Sequence, residues 1–148
     1  MWGNSSRWDP WAYATERWPD VQVVEAPLPG SVQACYDPGQ RIIWLDAALT
    51  RVEARCALAY QLGHLEYGPN PQDPYLAAAH HRAAVEWAAL MLVPSDVFAA
   101  AWAGCLDLAA MAAYANVDLS TFRARIRAAS DADQDAAVEA IAATRLSA

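Results

Sequence analysis

Three histidines, His64, His80 and His81, are the only ones in the chain, and they fall close together in sequence. His64 closes an apolar run, Arg55-Cys-Ala-Leu-Ala-Tyr-Gln-Leu-Gly-His64, whose last five residues are two changes away from His-Glu-x-x-His. In that pattern two imidazoles four residues apart stand about one helical turn from each other and can share one zinc ion, while the glutamate takes a proton from zinc-bound water. Here Tyr60 stands at the first ligand position and Gln61 at the position of the base, so only His64 is unaltered. A tyrosine ligates only as phenolate, from an ordinary pKa of about 10, and so binds metal weakly. An amide cannot accept and return a proton, and loss of a positioned general base costs about 10²–10⁴-fold in rate.

The elements that must carry these residues can be read from periodicity. Ala47 through Leu65 places Leu49, Val52, Cys56, Ala59, Leu62 and Gly63 at three- and four-residue spacing, which predicts an amphipathic helix with His64 near its buried side. Gly68-Pro-Asn-Pro-Gln-Asp-Pro74 stops it, and a second helix is expected over 75–92, with Ala77, His81, Ala84, Ala88 and Leu92 along one side. Upstream, Asp9-Pro10 predicts a cap and first turn for a helix over 10–18, presenting tryptophans to the core. Strands are expected at 21–25, 31–36 and 41–45, the last two joined as a hairpin by Asp37-Pro-Gly-Gln40. Downstream the pattern predicts short helices at 96–102 and 105–115, a turn at 116–120, a helix at 121–129 and a capped alanine-rich helix at 133–146. The expected organisation is one domain over 1–128, followed by a peripheral C-terminal helix or tail over 129–148.

Composition narrows the classes. A chain of 148 residues with 56% hydrophobic content suits one ordinary domain. A net charge of −7 speaks against a phosphate-binding surface, so nucleic acid is a poor partner. All ten basic residues are arginine, a bias associated with a GC-rich genome such as that of an actinobacterium or its phage. The start of the chain has no apolar leader core, and the most apolar window, Val97 to Val117, carries Asp107 at its centre. Neither a secretory signal nor a membrane span is expected, since an acid at mid-bilayer costs roughly 2.5–3.5 kcal/mol. Cys35, Cys56 and Cys105 lack paired spacing and read as reduced core residues of a cytoplasmic protein.

Four segments in order resemble the ImmA/IrrE family of compact zinc peptidases. They are Tyr36 with Arg41-Ile-Ile-Trp-Leu-Asp46; the Arg55–His64 run, similar to the family's Arg-x-x-Leu-Ala-His-Glu-Leu-Gly-His; Ala84-Val-Glu-Trp-Ala-Ala-Leu-Met-Leu-Val-Pro94; and Leu108 through Phe122. The resemblance covers roughly residues 10–128 and implies a zincin-like metallopeptidase fold, α+β, mostly helical with a small three-stranded sheet. It places the family's third metal ligand, a glutamate, at His81. The metal positions are thus Tyr60, His64 and His81, with Gln61 at the base, and zinc is expected to be absent or weakly held. It further implies a partner that is a helix-turn-helix repressor, in phage or mobile-element immunity or stress regulation. The expected function is a catalytically impaired pseudo-peptidase that binds such a repressor. The rivals are an active zinc endopeptidase with an unusual ligand set and a small DNA-binding regulator.

A plainer reading makes His64 a core histidine and puts His80 and His81 on the surface. Glu66 and Glu86 could replace the lost acids, but on a helix they lie about 200° from His64 and about 140° from His81, which predicts solvated positions. Leu108–Ile126 also resembles a helix-turn-helix bearing Arg123, Arg125 and Arg127; residues two apart turn by about 200°, so these do not form one stripe. The tryptophans read as core residues.

Overall fold

The computed structural model describes residues 7–105 and 107–147. The first six residues, where no leader is expected, Leu106 in the predicted 105–115 helix, and the final alanine lie outside the described residues. The chain divides into two compact units, residues 1–88 and 89–148.

In the first unit, helix α1 (Pro10–Arg17) begins where the Asp9 side chain accepts the Trp11 amide at 2.9 Å, with Pro10 in the first turn, as the sequence predicts. Three strands follow: β1 (Gln22–Ala26), β2 (Ala34–Asp37) and β3 (Ile42–Asp46). Their order is β1-β3-β2, with β1 parallel to β3 and β2 antiparallel to it. The predicted hairpin is present, and Asp37 holds its turn by accepting the Gly39 and Gln40 amides at 2.9 and 3.2 Å. Alternation along β3 buries Ile43 and Leu45 completely, and these pack with Leu58 and Leu62 at the centre of the core. Trp8, Trp11, Tyr13, Trp18 and Trp87 close over that cluster, so these four tryptophans serve as core cover.

Helix α2 (Arg51–Tyr67) starts four residues later than its apolar periodicity suggests. Thr50 sets the start: its hydroxyl accepts the Glu53 amide at 3.2 Å and the Glu53 carboxylate accepts the Thr50 amide at 2.8 Å. Gly68 ends the helix at φ 79°, a conformation that side chains resist. Helix α3 (Pro74–Leu92) follows. At Gly63 a Cβ would lie 2.7 Å from the Ala84 carbonyl oxygen and 3.1 Å from the Ala84 Cα, so the α2 backbone rests directly on α3.

Glu66 corrects the expectation of a solvated acid. Its carboxylate accepts the Tyr13 hydroxyl at 2.6 Å and the Trp18 indole N–H at 3.3 Å, and pairs with Arg17 at 3.4 Å. The predicted angle from His64 is unchanged, but that side of α2 is covered by α1. Burial, reinforced by the bond to Glu66, pushes the Tyr13 phenol up to about 12. Glu86 is exposed as expected. Of the cysteines only Cys56 is a core residue: Cys105 is half-buried, and Cys35 is exposed because the pleat of edge strand β2 turns it outward.

The second unit holds α4 (Ser95–Gly104), α5 (Leu108–Ala115), α6 (Leu119–Arg127) and α7 (Asp131–Leu146). Asp107 caps α5 through the Ala110 amide, and Asp118 caps α6 through the Thr121 amide, each at 2.8 Å. Each cap moves its helix start by two or three residues from the periodic pattern. Among the described residues no single helix is long and apolar enough to cross a membrane. Phe98 and Phe122 stack at 6.0 Å, and the Arg125 guanidinium lies 4.5 Å from the Phe98 ring centre. Arg125 is 1% exposed, donates to the Val93 carbonyl at 2.6 Å, and pairs with Asp133 at 3.1 Å. Arg123 and Arg127 are exposed, so the three arginines do not share a surface.

Gly63→Ala should destabilise the fold although alanine is the better helix former. The propensity gain is about 1 kcal/mol, and forcing a methyl into backbone costs about 1–3 kcal/mol or more; urea denaturation should show a lower midpoint. The Asp133 carboxyl is held down at about 2 by the Ser95 hydroxyl first and, beyond that, by the Ser130 amide and Arg125, against its burial. Because the folded value lies below the unfolded one, near 3.9, its contribution is complete above that value and disappears as pH falls through about 2. Thermal melts of the wild type should weaken over that window. Asp133→Asn should flatten this part of the profile and cost about 3–5 kcal/mol at neutral pH, because it leaves Arg125 buried without its counter-charge.

Candidate functional site

The candidate site lies wholly within the first unit. Tyr60 and His64 sit one turn apart on α2, and His80 and His81 face them from the first half of α3. The rings form a contiguous cluster: Tyr60 meets His64 edge-on at 4.6 Å and His81 at 5.3 Å, while His64 stacks on His80 at 5.0 Å. The positions expected for a metal, Tyr60, His64 and His81, therefore lie together, while Gln61 points away from them toward the sheet. His80, which the plainer reading placed on the surface, is partly buried and joins them.

Hydrogen bonds assign the protons. His80 Nε2 lies 2.8 Å from the Gly68 carbonyl oxygen, which can only accept, so that nitrogen carries hydrogen. In the neutral ring His80 Nδ1 is then an acceptor, and His64 Nδ1, 3.2 Å away, donates to it. The Tyr60 hydroxyl is bonded to His81 Nδ1. Burial pushes the Tyr60 phenol up, which keeps its proton in place. Burial, followed by repulsion from His80 and His81, pulls His64 below its usual value and favours the neutral ring.

Gln61 turns toward the sheet, and its Nε2 donates to the Ala34 carbonyl of β2 at 3.4 Å. A carboxylate at that place has no hydrogen to offer a carbonyl, so this long contact is specific to the amide. Tyr60, Gln61, His64 and His80 line a cleft of about 760 Å³ between β2, the end of α2 and the start of α3, with Trp18, Tyr36, Arg41 and Asn70 also on its walls; His81 is not one of the lining residues. Among the described residues lining it there is no carboxylate, although the chain as a whole carries −7. Ala34, Cys35 and Tyr36 enter the site through the position of β2 at the sheet edge, and Arg41 through the hairpin turn that follows it. The sequence signals the hairpin, and Tyr36 and Arg41 also fall in the first segment of the family resemblance, but nothing in their spacing points to a cleft.

A zinc centre of the kind the motif implies needs several converging donors from cysteine, histidine or carboxylate. Among the described residues no three such side chains gather closely enough to hold an ion. Tyr60 is not of these donor classes, and its hydroxyl is engaged with His81. The residues present do not fit zinc, and no chemical step is derived through it.

Residues 19–127 match the family model described as the IrrE N-terminal-like domain, peptidase family M78. Comparison with curated proteins finds no match. The matched span contains the sheet, both site helices and α4 through α6, an α+β arrangement consistent with the zincin-like fold. Spanning well over half of the chain, the match shows that this protein belongs to the IrrE N-terminal-like family, whose type is the zinc metallopeptidase.

Proposed function

We propose that this chain is a pseudo-peptidase that keeps the family's cleft and acts by binding a helix-turn-helix repressor without cutting it. The observation that carries this reading is the state of Gln61. At the position of the family's base stands an amide, which cannot cycle a proton and donates to the Ala34 carbonyl. The donor positions support the same reading, since Tyr60 and His81 are engaged with each other. Family resemblance supports the repressor as partner, and a setting in phage or mobile-element immunity or stress regulation is part of the same proposal. The cleft walls suit a segment that presents apolar and hydrogen-bonding groups, and Arg41 on them is paired with Asp20 at 2.7 Å.

The test is to incubate the wild type, and a Tyr60→His/Gln61→Glu/His81→Glu variant, with the helix-turn-helix repressor encoded beside the gene, each with and without added zinc. The expected wild-type result is a complex on size-exclusion chromatography and an intact repressor on mass spectrometry. Repressor fragments produced by the wild type would establish an active enzyme and overturn the proposal. For the variant, regain of stoichiometric zinc is expected, because three donors of the usual classes then occupy the metal positions.

A further inference from the structure

We propose that the four rings form a metal-free clasp: Tyr60 bonded to His81 and His64 bonded to His80 pin α2 to α3 in place of the ion that the family's ligands would share. The inference builds on the misfit of the donor set to zinc, but it needs no repressor and concerns the isolated protein.

The geometry supports it in three ways. First, the two cross-helix bonds start on α2 at positions one turn apart, 60 and 64, and end on adjacent residues of α3, 81 and 80. These are two ties between the same pair of helices. Second, the network is anchored beyond the rings, because His80 also donates to the Gly68 carbonyl at the end of α2. That bond fixes the His80 tautomer and thereby the direction of the His64 bond. Third, the changes are complementary. A tyrosine at 60 supplies a hydroxyl donor, and a histidine at 81 supplies an Nδ1 acceptor, so each substitution satisfies the other. With the family's residues at those positions, a histidine at 60 and a glutamate at 81, an ion would be the partner of both.

The clasp also accounts for where metal donors are lost. A neutral imidazole offers one lone pair. Those of His80 and His81 are used within the cluster, leaving His64 Nε2 as the single uncommitted imidazole acceptor of the three. One lone pair does not make a chelate.

The test uses the purified full chain without a histidine tag. Thermal melts with EDTA and with equimolar zinc chloride should coincide within error. Long-range ¹H–¹⁵N spectra of the imidazoles should show His64 protonated at Nδ1 and His80 and His81 at Nε2. Tyr60→Phe, which keeps the ring and removes only the hydroxyl, should lower Tm by about 2–4 °C and release the His81 tautomer preference. A Tyr60→His/His81→Glu variant should become chelator-sensitive, with zinc raising its Tm. Stoichiometric zinc binding that raises the wild-type Tm by several degrees would overturn the proposal. So would a Tyr60→Phe protein whose Tm and His81 spectrum match the wild type.

Discussion

Everything at the cleft depends on how closely α2 and α3 approach at Gly63. With the Ala84 carbonyl in the space a side chain would occupy, the two backbones touch. That contact lies next to His64 and about one turn from His81 along α3, so it sets the distance over which the rings can meet. A larger residue at either position would separate the helices before it affected any chemistry. The buried leucines of α2 and the two fully buried side chains of β3 then fix which face of α2 turns toward the sheet. Tyr60, Gln61 and His64 inherit their directions from that packing. Position 61 is carried toward β2 and positions 60 and 64 toward α3.

On the proposed reading, the packing is kept while the chemistry it serves in the family is not. The functional groups of Tyr60, Gln61, His64, His80 and His81 bond one another or the backbone. A buried glutamate and an open metal site are costly to maintain, because each charge must be held by preorganised partners. The residues present are neutral donors and acceptors that can satisfy one another. That economy suits a binding role, in which the cleft need only be shaped and solvated.

Much of this was legible in the sequence where local physics decides the outcome. Asp9-Pro10 announced α1, Asp37-Pro-Gly-Gln40 announced the hairpin, and the Pro-rich segment 68–74 separated the two site helices. Helix starts were misplaced where apolar periodicity was followed in preference to caps. Thr50 with Glu53, Asp107 and Asp118 are cap signatures visible in the sequence, and each shifts its boundary by a few residues. The remaining differences come from tertiary placement. Helix geometry gives the angle of Glu66 from His64, but only the docking of α1 shows that this face is covered. Cys35 lies on an edge strand whose inward phase four residues cannot fix. His80 adjoins His81 in sequence, and only the opposition of the helices shows that both rings reach α2.

The carboxylate of Asp133 has a wider consequence. It completes the capping box of its own helix by accepting the Ser130 amide at 3.0 Å, and the same oxygen pairs with the buried Arg125 of α6. Ser95, the first residue of α4, bonds to this carboxyl as well. One side chain therefore serves the start of α7 and the docking of α7 on its neighbours, so the two cannot be lost separately. Undocking would expose a frayed helix end and strand an arginine in an apolar pocket. Within its unit, the C-terminal segment is thus part of a single cooperative folding block, and hydrogen exchange through α4, α6 and α7 should report one shared opening event.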